Sequence, residues 1–286
     1  MTTYEQVYDD WRRDPQGFWA RAAGAIDWTT APTTICDPAL SPGGRWFVDG
    51  RLNACHNAVD RHVESGRGEQ AALLHVSAMT GTESTLSFRE LRDRVATLAG
   101  ALRALGVGQG DRVVIYMPMV PEAVVAMQAC ARVGAIHSVV FGGFSALSLK
   151  DRIEDAGARA LITADGGWRG GQKIELKAAA DKALAMGCGT IDTVFVLKRT
   201  GHEVPMLESR DIWWHDAVSG QSPSCEPEWV DAEHPLFLLY TSGSTGKPKG
   251  IQHSSAGYLL GVKLTTKWVF DIHHDDVFWC TADVGW

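Results

Sequence analysis

A hydrophilic, glycine-rich stretch at residues 240–250, with the sequence YTSGSTGKPKG, carries the residue types that bind polyphosphates. Its glycines allow backbone N–H groups to turn into one concavity, while its hydroxyl and ammonium groups add hydrogen-bond donors and positive charge. The residues that form this candidate site are Thr241, Ser242, Gly243, Ser244, Thr245, Gly246, Lys247 and Lys249. The stretch therefore predicts a loop that binds the phosphate tail of a nucleotide.

This loop differs from the Walker A loop. A Walker A loop has four residues between its glycines and a Ser or Thr directly after the lysine, whereas here two residues separate Gly243 from Gly246 and Pro248 follows Lys247. Proline disfavours a helix at this point, so we expect extended chain at residues 250–253. The alternative interpretation is a solvated hairpin loop that is merely rich in Ser, Thr and Gly.

A second candidate site is the sequence FGGFS at residues 141–145, placed between a predicted strand and a predicted helix. Ligands bind to α/β sheets at such positions, and Gly142 and Gly143 would allow close approach of the backbone. Two glycines before a helix are, by themselves, more often only a turn.

The elements around these sites follow a regular alternation of apolar patterns. After one or two short N-terminal helices at residues 4–28, broken around Pro15 and Gly17, and an extended, wrapping segment at 29–50, the sequence predicts βαβ units on a mostly parallel sheet. Strands are predicted at 71–77, 85–88, 112–116, 135–140, 159–163, 193–197 and 235–240, with a hairpin turn at 81–84. Helices are predicted at 53–64, 88–105, 121–134, 145–156, 172–186 and 254–268, with an irregular stretch at 200–234. Ser87 and Glu90 are predicted to form a capping box at the start of the helix at 88–105.

Composition restricts the class of partner. The 286 residues are 45% hydrophobic and carry a formal net charge of −7, which argues against general affinity for nucleic acid or an anionic membrane. The most apolar stretch, residues 120–136, is interrupted by polar residues, and the N-terminus has no signal-peptide pattern. We therefore expect a cytoplasmic protein whose partners are small molecules.

Cysteine and histidine spacing gives no metal site. The six cysteines are scattered without a CxxC pair, so neither a zinc site nor a disulfide framework is indicated. The sequence HHDD at residues 273–276 places its side chains on adjacent positions that do not converge on one ion, which favours a solvated turn.

Several ordered motifs resemble one family. YTSGSTGKPKG resembles the signature loop of the adenylate-forming superfamily, and FWCTADVGW at 278–286 resembles the segment that follows it in AMP-forming acetyl-CoA synthetases. The sequences WFVDGRLNACHNAVDRH at 46–62, YMPMVPEA at 116–123 and ACARVGAIHSVVFGGFS at 129–145 also resemble that family. The resemblance covers essentially the whole chain.

The resemblance implies a fold and a domain organisation. Residues 1–60 would be the N-terminal extension of such synthetases, and residues 61–286 would be the N-terminal part of the large adenylate-forming domain. The family's acyl pocket, adenine contacts and C-terminal domain would then lie beyond Trp286. We accordingly expect an N-terminal portion of a longer enzyme that is inactive alone, and we assign no catalytic residue within it.

The resemblance also implies a reaction: acetate, ATP and coenzyme A would give acetyl-CoA, AMP and diphosphate through an acetyl-adenylate, with Mg²⁺ bound. In-line attack on the α-phosphorus depends on positioning and on cations around the β- and γ-phosphates, which the loop at 241–249 can supply. In the family, Phe141, Gly142, Gly143 and Arg169 would bind coenzyme A. A second basic residue commonly follows that arginine by three positions. Here it is Gln172, so coenzyme A binding depends on whether the adjacent Lys173 substitutes.

Two alternatives to an acetate–CoA ligase are open. One is a propionate–CoA ligase, which the compact N-terminus and CHNAVDRH also resemble, although the loop of that family usually reads GTTGKPKG. The other is a non-catalytic nucleotide-binding or interaction module.

Overall fold

Two short helices and an extended segment begin the chain. The computed structural model describes residues 3–40, 43–241 and 248–285. Helix α1 covers Tyr4–Arg13 and α2 covers Pro15–Ala23, and they are separate because the side chain of Asp14 caps the second helix. The extended segment contains three two-residue strands, which are β1 (Cys36–Asp37), β2 (Arg45–Trp46) and β3 (Arg51–Leu52). The predicted N-terminal helices and wrapping segment are confirmed.

A helical stretch and a hairpin lead into the main sheet. The stretch contains two π-helical segments, His56–Asp60 and Val63–Arg67. The hairpin consists of β4 (Ala71–Ser77) and β5 (Thr82–Ser87). Its turn occupies residues 78–81 and not the predicted 81–84, since Gly81, with φ +63°, ends the turn.

The following helix, α3 (Phe88–Ala104), begins with the predicted capping box. The Ser87 side chain accepts a hydrogen bond from the Glu90 N–H, and the Glu90 side chain accepts one from the Ser87 N–H. The remaining elements follow in chain order: β6 (Arg112–Tyr116), α4 (Pro121–Arg132), β7 (Ile136–Val139), α5 (Ala146–Ala156), β8 (Ala160–Ala164), β9 (Gly167–Arg169), β10 (Gln172–Ile174), α6 (Leu176–Ala185), β11 (Thr193–Leu197), β12 (Asp211–Trp213), α7 (Trp214–Val218), β13 (Val230–Asp231), β14 (Pro235–Thr241), β15 (Lys249–Ser254) and α8 (Ser255–Trp268).

The central sheet has seven strands in the order β12-β11-β8-β6-β7-β14-β15. Neighbouring strands are parallel except β14 and β15, which are antiparallel. Alternate residues of the inner strands enter two different cores: Val113 and Ile115 pack with the cluster of α3 and α4, while Val114 packs with the cluster of α5 and α6. The near-continuous apolar strands thus reflect burial on both faces, and the α/β fold class is confirmed.

Two further predicted boundaries are wrong. The helix predicted at 172–186 begins only at Leu176, because Gly170 and Gly171, with φ +53° and +76°, form a tight turn that pairs β9 with β10. The irregular stretch predicted at 200–234 contains β12, α7 and β13. In the described part of the chain, no helix is both long and apolar enough to cross a bilayer.

Candidate functional site

The candidate phosphate loop connects β14 to β15. Of its predicted residues, Thr241 and Lys249 are described and face each other in the last cross-strand pair, next to the pair of Tyr240 with Gly250. Residues 242–247, which include Ser242, Gly243, Ser244, Thr245, Gly246 and Lys247, lie outside the described residues. The predicted strand before the loop and the predicted extended chain after Pro248 are confirmed.

A cavity of about 180 Å³ lies at the edge of the sheet where the parallel strands end. Segments that follow three neighbouring strands line it: residues 117–120 after β6, 141–143 after β7 and 167–169 after β8. Parallel sheets bind ligands at this edge. The structure therefore brings Phe141, Gly142, Gly143 and Arg169 together, as the sequence predicts.

The two glycines give this cavity its shape. A Cβ atom on Gly143 would overlap Arg169 Nη1 and lie 2.5 Å from Phe141 Cε1, and one on Gly142 would lie 3.2 Å from the Met117 carbonyl oxygen. The Arg169 guanidinium lies 4.6 Å from the centroid of the Phe141 ring, which is a cation–π distance. Glycine at position 143 thus permits the guanidinium to rest on the aromatic ring.

Lys173 does not lie beside Arg169. In the hairpin of β9 and β10, Arg169 pairs with Gln172 and Trp168 pairs with Lys173. Directly opposed residues of two antiparallel strands share a face, and the Lys173 ammonium lies 5.7 Å from the Trp168 ring centroid. The position directly opposite Arg169 in the hairpin therefore belongs to Gln172.

Arg199 is a cavity residue that the sequence analysis missed. It lines the same cavity as Arg169 from the segment that follows β11, and its Nη2 lies 3.5 Å from Ser77 Oγ. Among the described residues, no carboxylate forms an ion pair with Arg169 or Arg199. The described lining thus carries two guanidinium groups and one carboxylate, that of Asp283, and this excess of positive charge makes the cavity suitable for an anionic ligand.

The segment that carries Arg199 is fixed by the buried carboxylate of Asp165. This carboxylate accepts hydrogen bonds from the backbone N–H groups of Arg199, Thr200 and Gly201, and from its own neighbour Gly166. Burial would raise the pKa of Asp165, but these hydrogen bonds outweigh that effect and lower it. An aspartate directly after a buried strand was the available sequence signal for this role.

The end of the described chain also reaches the cavity. Asp283 lines it, and the Val284 N–H donates a hydrogen bond to Met119 Sδ at 3.2 Å. A Cβ on Gly285 would lie 2.8 Å from the Phe141 nitrogen, so this segment packs closely on the start of FGGFS. Residues 277–285 form no strand in the structure.

Metal-binding side chains do not cluster in the described ranges 3–40, 43–241 and 248–285, where no three His, Cys, Asp or Glu residues could hold one ion. His273, His274, Asp275 and Asp276 are exposed and include a turn.

Profile comparisons show the class of protein to which this fold and site belong. Residues 60–286 match the family described as AMP-binding enzyme, so the chain is a member of that family. Residues 4–58 match the family described as acetyl-coenzyme A synthetase N-terminus. The predicted family resemblance is confirmed.

Individual relatives with similar sequences or structures are acyl-CoA synthetases. The chain is 54% identical over 288 aligned residues to acetyl-coenzyme A synthetases of Burkholderia thailandensis and Burkholderia pseudomallei strain K96243. The match covers all of this chain and 44% of each relative, so the chain spans less than half of their length. Acetoacetyl-CoA synthetase from Streptomyces lividans has a similar structure, with a TM-score of 0.91, 29% identity, and coverage of 100% of this chain and 43% of that one.

Proposed function

We propose that this chain acts in the ATP-dependent ligation of acetate to coenzyme A through an acetyl-adenylate. The observation that carries the proposal is the 54% identity to acetyl-coenzyme A synthetases over the whole chain. The two candidate sites at one edge of the sheet, a phosphate loop and a basic cavity, agree with a reaction that uses two nucleotide-containing substrates. We also propose the division into an N-terminal extension at 1–60 and an adenylate-forming domain from residue 61, and a cytoplasmic location.

The loop at 241–249 would bind the β- and γ-phosphates of ATP. Attack of a carboxylate on the α-phosphorus brings two negatively charged groups together, so catalysis depends on cations and N–H donors placed around the phosphates. Lys247, Lys249 and the hydroxyl groups of the loop supply these donors. Mg²⁺ would supply further charge neutralisation when it is bound to the nucleotide.

The cavity would bind the nucleotide end of coenzyme A. Arg169 can form a bidentate pair with a phosphate group, and Arg199 provides a second guanidinium in the same lining. Phe141 and the glycine pair form an apolar surface on which a flat base can rest. A volume of about 180 Å³ suits part of this ligand only, so the remainder would extend over the sheet edge.

Product analysis tests this proposal. Since the relatives are more than twice as long, residues 1–286 would be fused to the remaining part of the Burkholderia thailandensis enzyme and incubated with acetate, ATP and coenzyme A. The expected products are acetyl-CoA, AMP and diphosphate in equal amounts. A higher kcat/KM for propionate would favour the propionate–CoA ligase. Binding of ATP without any acyl-CoA from either acid would favour the non-catalytic module.

A further inference from the structure

Strand β14, from which the candidate phosphate loop leaves the sheet, ends in a cluster of side-chain contacts with helix α5. The Tyr240 hydroxyl donates a hydrogen bond to Asp155 Oδ2 at 2.6 Å. Asp155 lies in the last turn of α5, whereas Tyr240 is one residue before the candidate phosphate-binding residues begin. This contact therefore joins the last residues of β14 to a helix on the face of the sheet.

The opposite strand accommodates the same tyrosine ring. Gly250 pairs with Tyr240 across the hairpin, and a Cβ atom there would lie 3.1 Å from Cε1 and 3.2 Å from Cζ of the ring. Any larger residue at 250 would push the ring away. Glycine at this position thus lets Tyr240 lie across both strands at the point where the loop begins and ends.

A buried arginine completes the cluster. The Arg152 guanidinium lies 5.6 Å from the centroid of the Tyr240 ring and 4.6 Å from that of Phe144, and its Nη1 donates a hydrogen bond to the Ser148 carbonyl at 2.8 Å. Phe144 belongs to the FGGFS segment, and its carbonyl accepts a hydrogen bond from the Tyr116 hydroxyl. Arg152 therefore contacts both the glycine segment of the cavity and the start of the phosphate loop.

The Tyr240 hydroxyl stays protonated at ordinary pH. Partial burial raises its pKa, and the hydrogen bond to Asp155 raises it further, since a nearby carboxylate disfavours a phenolate. The hydroxyl therefore remains a hydrogen-bond donor throughout the neutral pH range.

We propose that Tyr240 is a positioning residue. Its contacts with Asp155 and Arg152 anchor its ring, and the ring fixes the adjoining ends of β14 and β15. The phosphate loop between these two strand ends is thereby held in place to bind the ATP polyphosphate. This proposal rests on the proposed function. Without this anchor, the hairpin of β14 and β15 would open more often next to the loop. Part of the free energy of ATP binding would then be spent on ordering the hairpin, so ATP would bind more weakly.

Hydrogen exchange of the 286-residue chain tests the anchor without any activity. Tyr240→Phe keeps the ring and removes only the hydroxyl, and it should speed exchange of the amides at 239–241 and 249–251 by roughly three- to ten-fold, as expected for one net hydrogen bond. Asp151→Asn is the matched control: Asp151 is an exposed carboxylate of α5 whose ion-pair partner is Lys150, and its variant should leave these amides unchanged. Equal exchange in the parent and Tyr240→Phe would overturn the anchor.

Kinetics of the fusion test the positioning role. Tyr240→Phe should raise the KM for ATP in acetate-dependent ATP–pyrophosphate exchange by roughly three- to ten-fold and leave the KM for coenzyme A unchanged. Asp155→Ala should do the same, and the double variant should be no worse than either single variant because both remove one contact. Arg152→Met should raise both KM values, since Arg152 also touches Phe144.

The outcomes separate this inference from the proposed function. If the unmodified fusion exchanges pyrophosphate but Tyr240→Phe has the parental KM for ATP, the positioning role is wrong and the proposed function stands. If the unmodified fusion shows no acetate-dependent exchange, the proposed function fails and the positioning role fails with it.

Discussion

Replacement of Arg169 should weaken coenzyme A binding and spare adenylate formation. The side chain is exposed and rests on the Phe141 ring, and a contact of this kind is worth about 0.5–1 kcal/mol, so Arg169→Ala should change the free energy of unfolding only slightly. One hydrogen bond between a guanidinium and a phosphate is worth roughly 1.5–3 kcal/mol. At about 1.4 kcal/mol per factor of ten, the KM for coenzyme A should rise roughly 10- to 150-fold.

The assay measures the two half-reactions of the fusion separately. ATP–pyrophosphate exchange reports adenylation, and acetyl-CoA formation at varied coenzyme A reports the thioester step. Lys173→Ala is the matched control, since it removes a cation from the same hairpin on the face of Trp168. An equal loss in both half-reactions for Arg169→Ala would assign the arginine a structural role, and an unchanged KM for coenzyme A would remove it from the site.

Three further predictions concern the fold. Asp60→Ala should lower the free energy of unfolding by roughly 3–5 kcal/mol in urea denaturation, since it leaves Arg132, paired with Asp60 at 2.8 and 2.9 Å, as a buried unpaired charge. Burial lowers the pKa of His137 to about 4, so only the unfolded state takes up a proton as the pH falls from 6.5, and stability should decline by up to roughly 1.4 kcal/mol per pH unit. His137→Phe should make that decline shallower without abolishing it, because burial also lowers the pKa of His62 to about 4 and His62 contributes in the same pH window. An equally steep decline in both proteins would contradict the assignment. Asp165→Asn should raise the KM for coenzyme A and cost about 1–3 kcal/mol of stability, because the hydrogen bonds that hold the segment of Arg199 weaken; an unchanged unfolding midpoint would refute it.

Local sequence patterns predicted much of the fold because the relevant interactions are local. The capping box of Ser87 and Glu90 fixed the start of α3, and unbroken apolar runs marked strands that are buried on both faces. The pair Gly170 and Gly171 was misjudged: the apolar spacing that follows it resembles a helix, but two adjacent positive φ angles turn the chain back into a hairpin.

Residues of the cavity were predicted only where a short motif or family resemblance indicates them. FGGFS and Arg169 were assigned through family resemblance, and the cavity brings them together. Arg199 and Asp165 were missed because their roles depend on long-range contacts between segments that follow different strands. The contact between Tyr240 and Asp155, which are 85 residues apart, was missed for the same reason. The periodicity of a sequence carries no information about contacts between residues so far apart in the chain.

Acetate-dependent exchange of labelled pyrophosphate into ATP is the measurement that tests the central claim most directly. The unmodified fusion should show exchange that requires acetate and does not require coenzyme A. Lys247→Ala should reduce it strongly at an unchanged unfolding midpoint, because an ammonium that binds phosphate acts through its charge. Exchange at the parental rate in Lys247→Ala would contradict the assignment of the phosphate loop, and no acetate-dependent exchange in the unmodified fusion would contradict the proposed function itself.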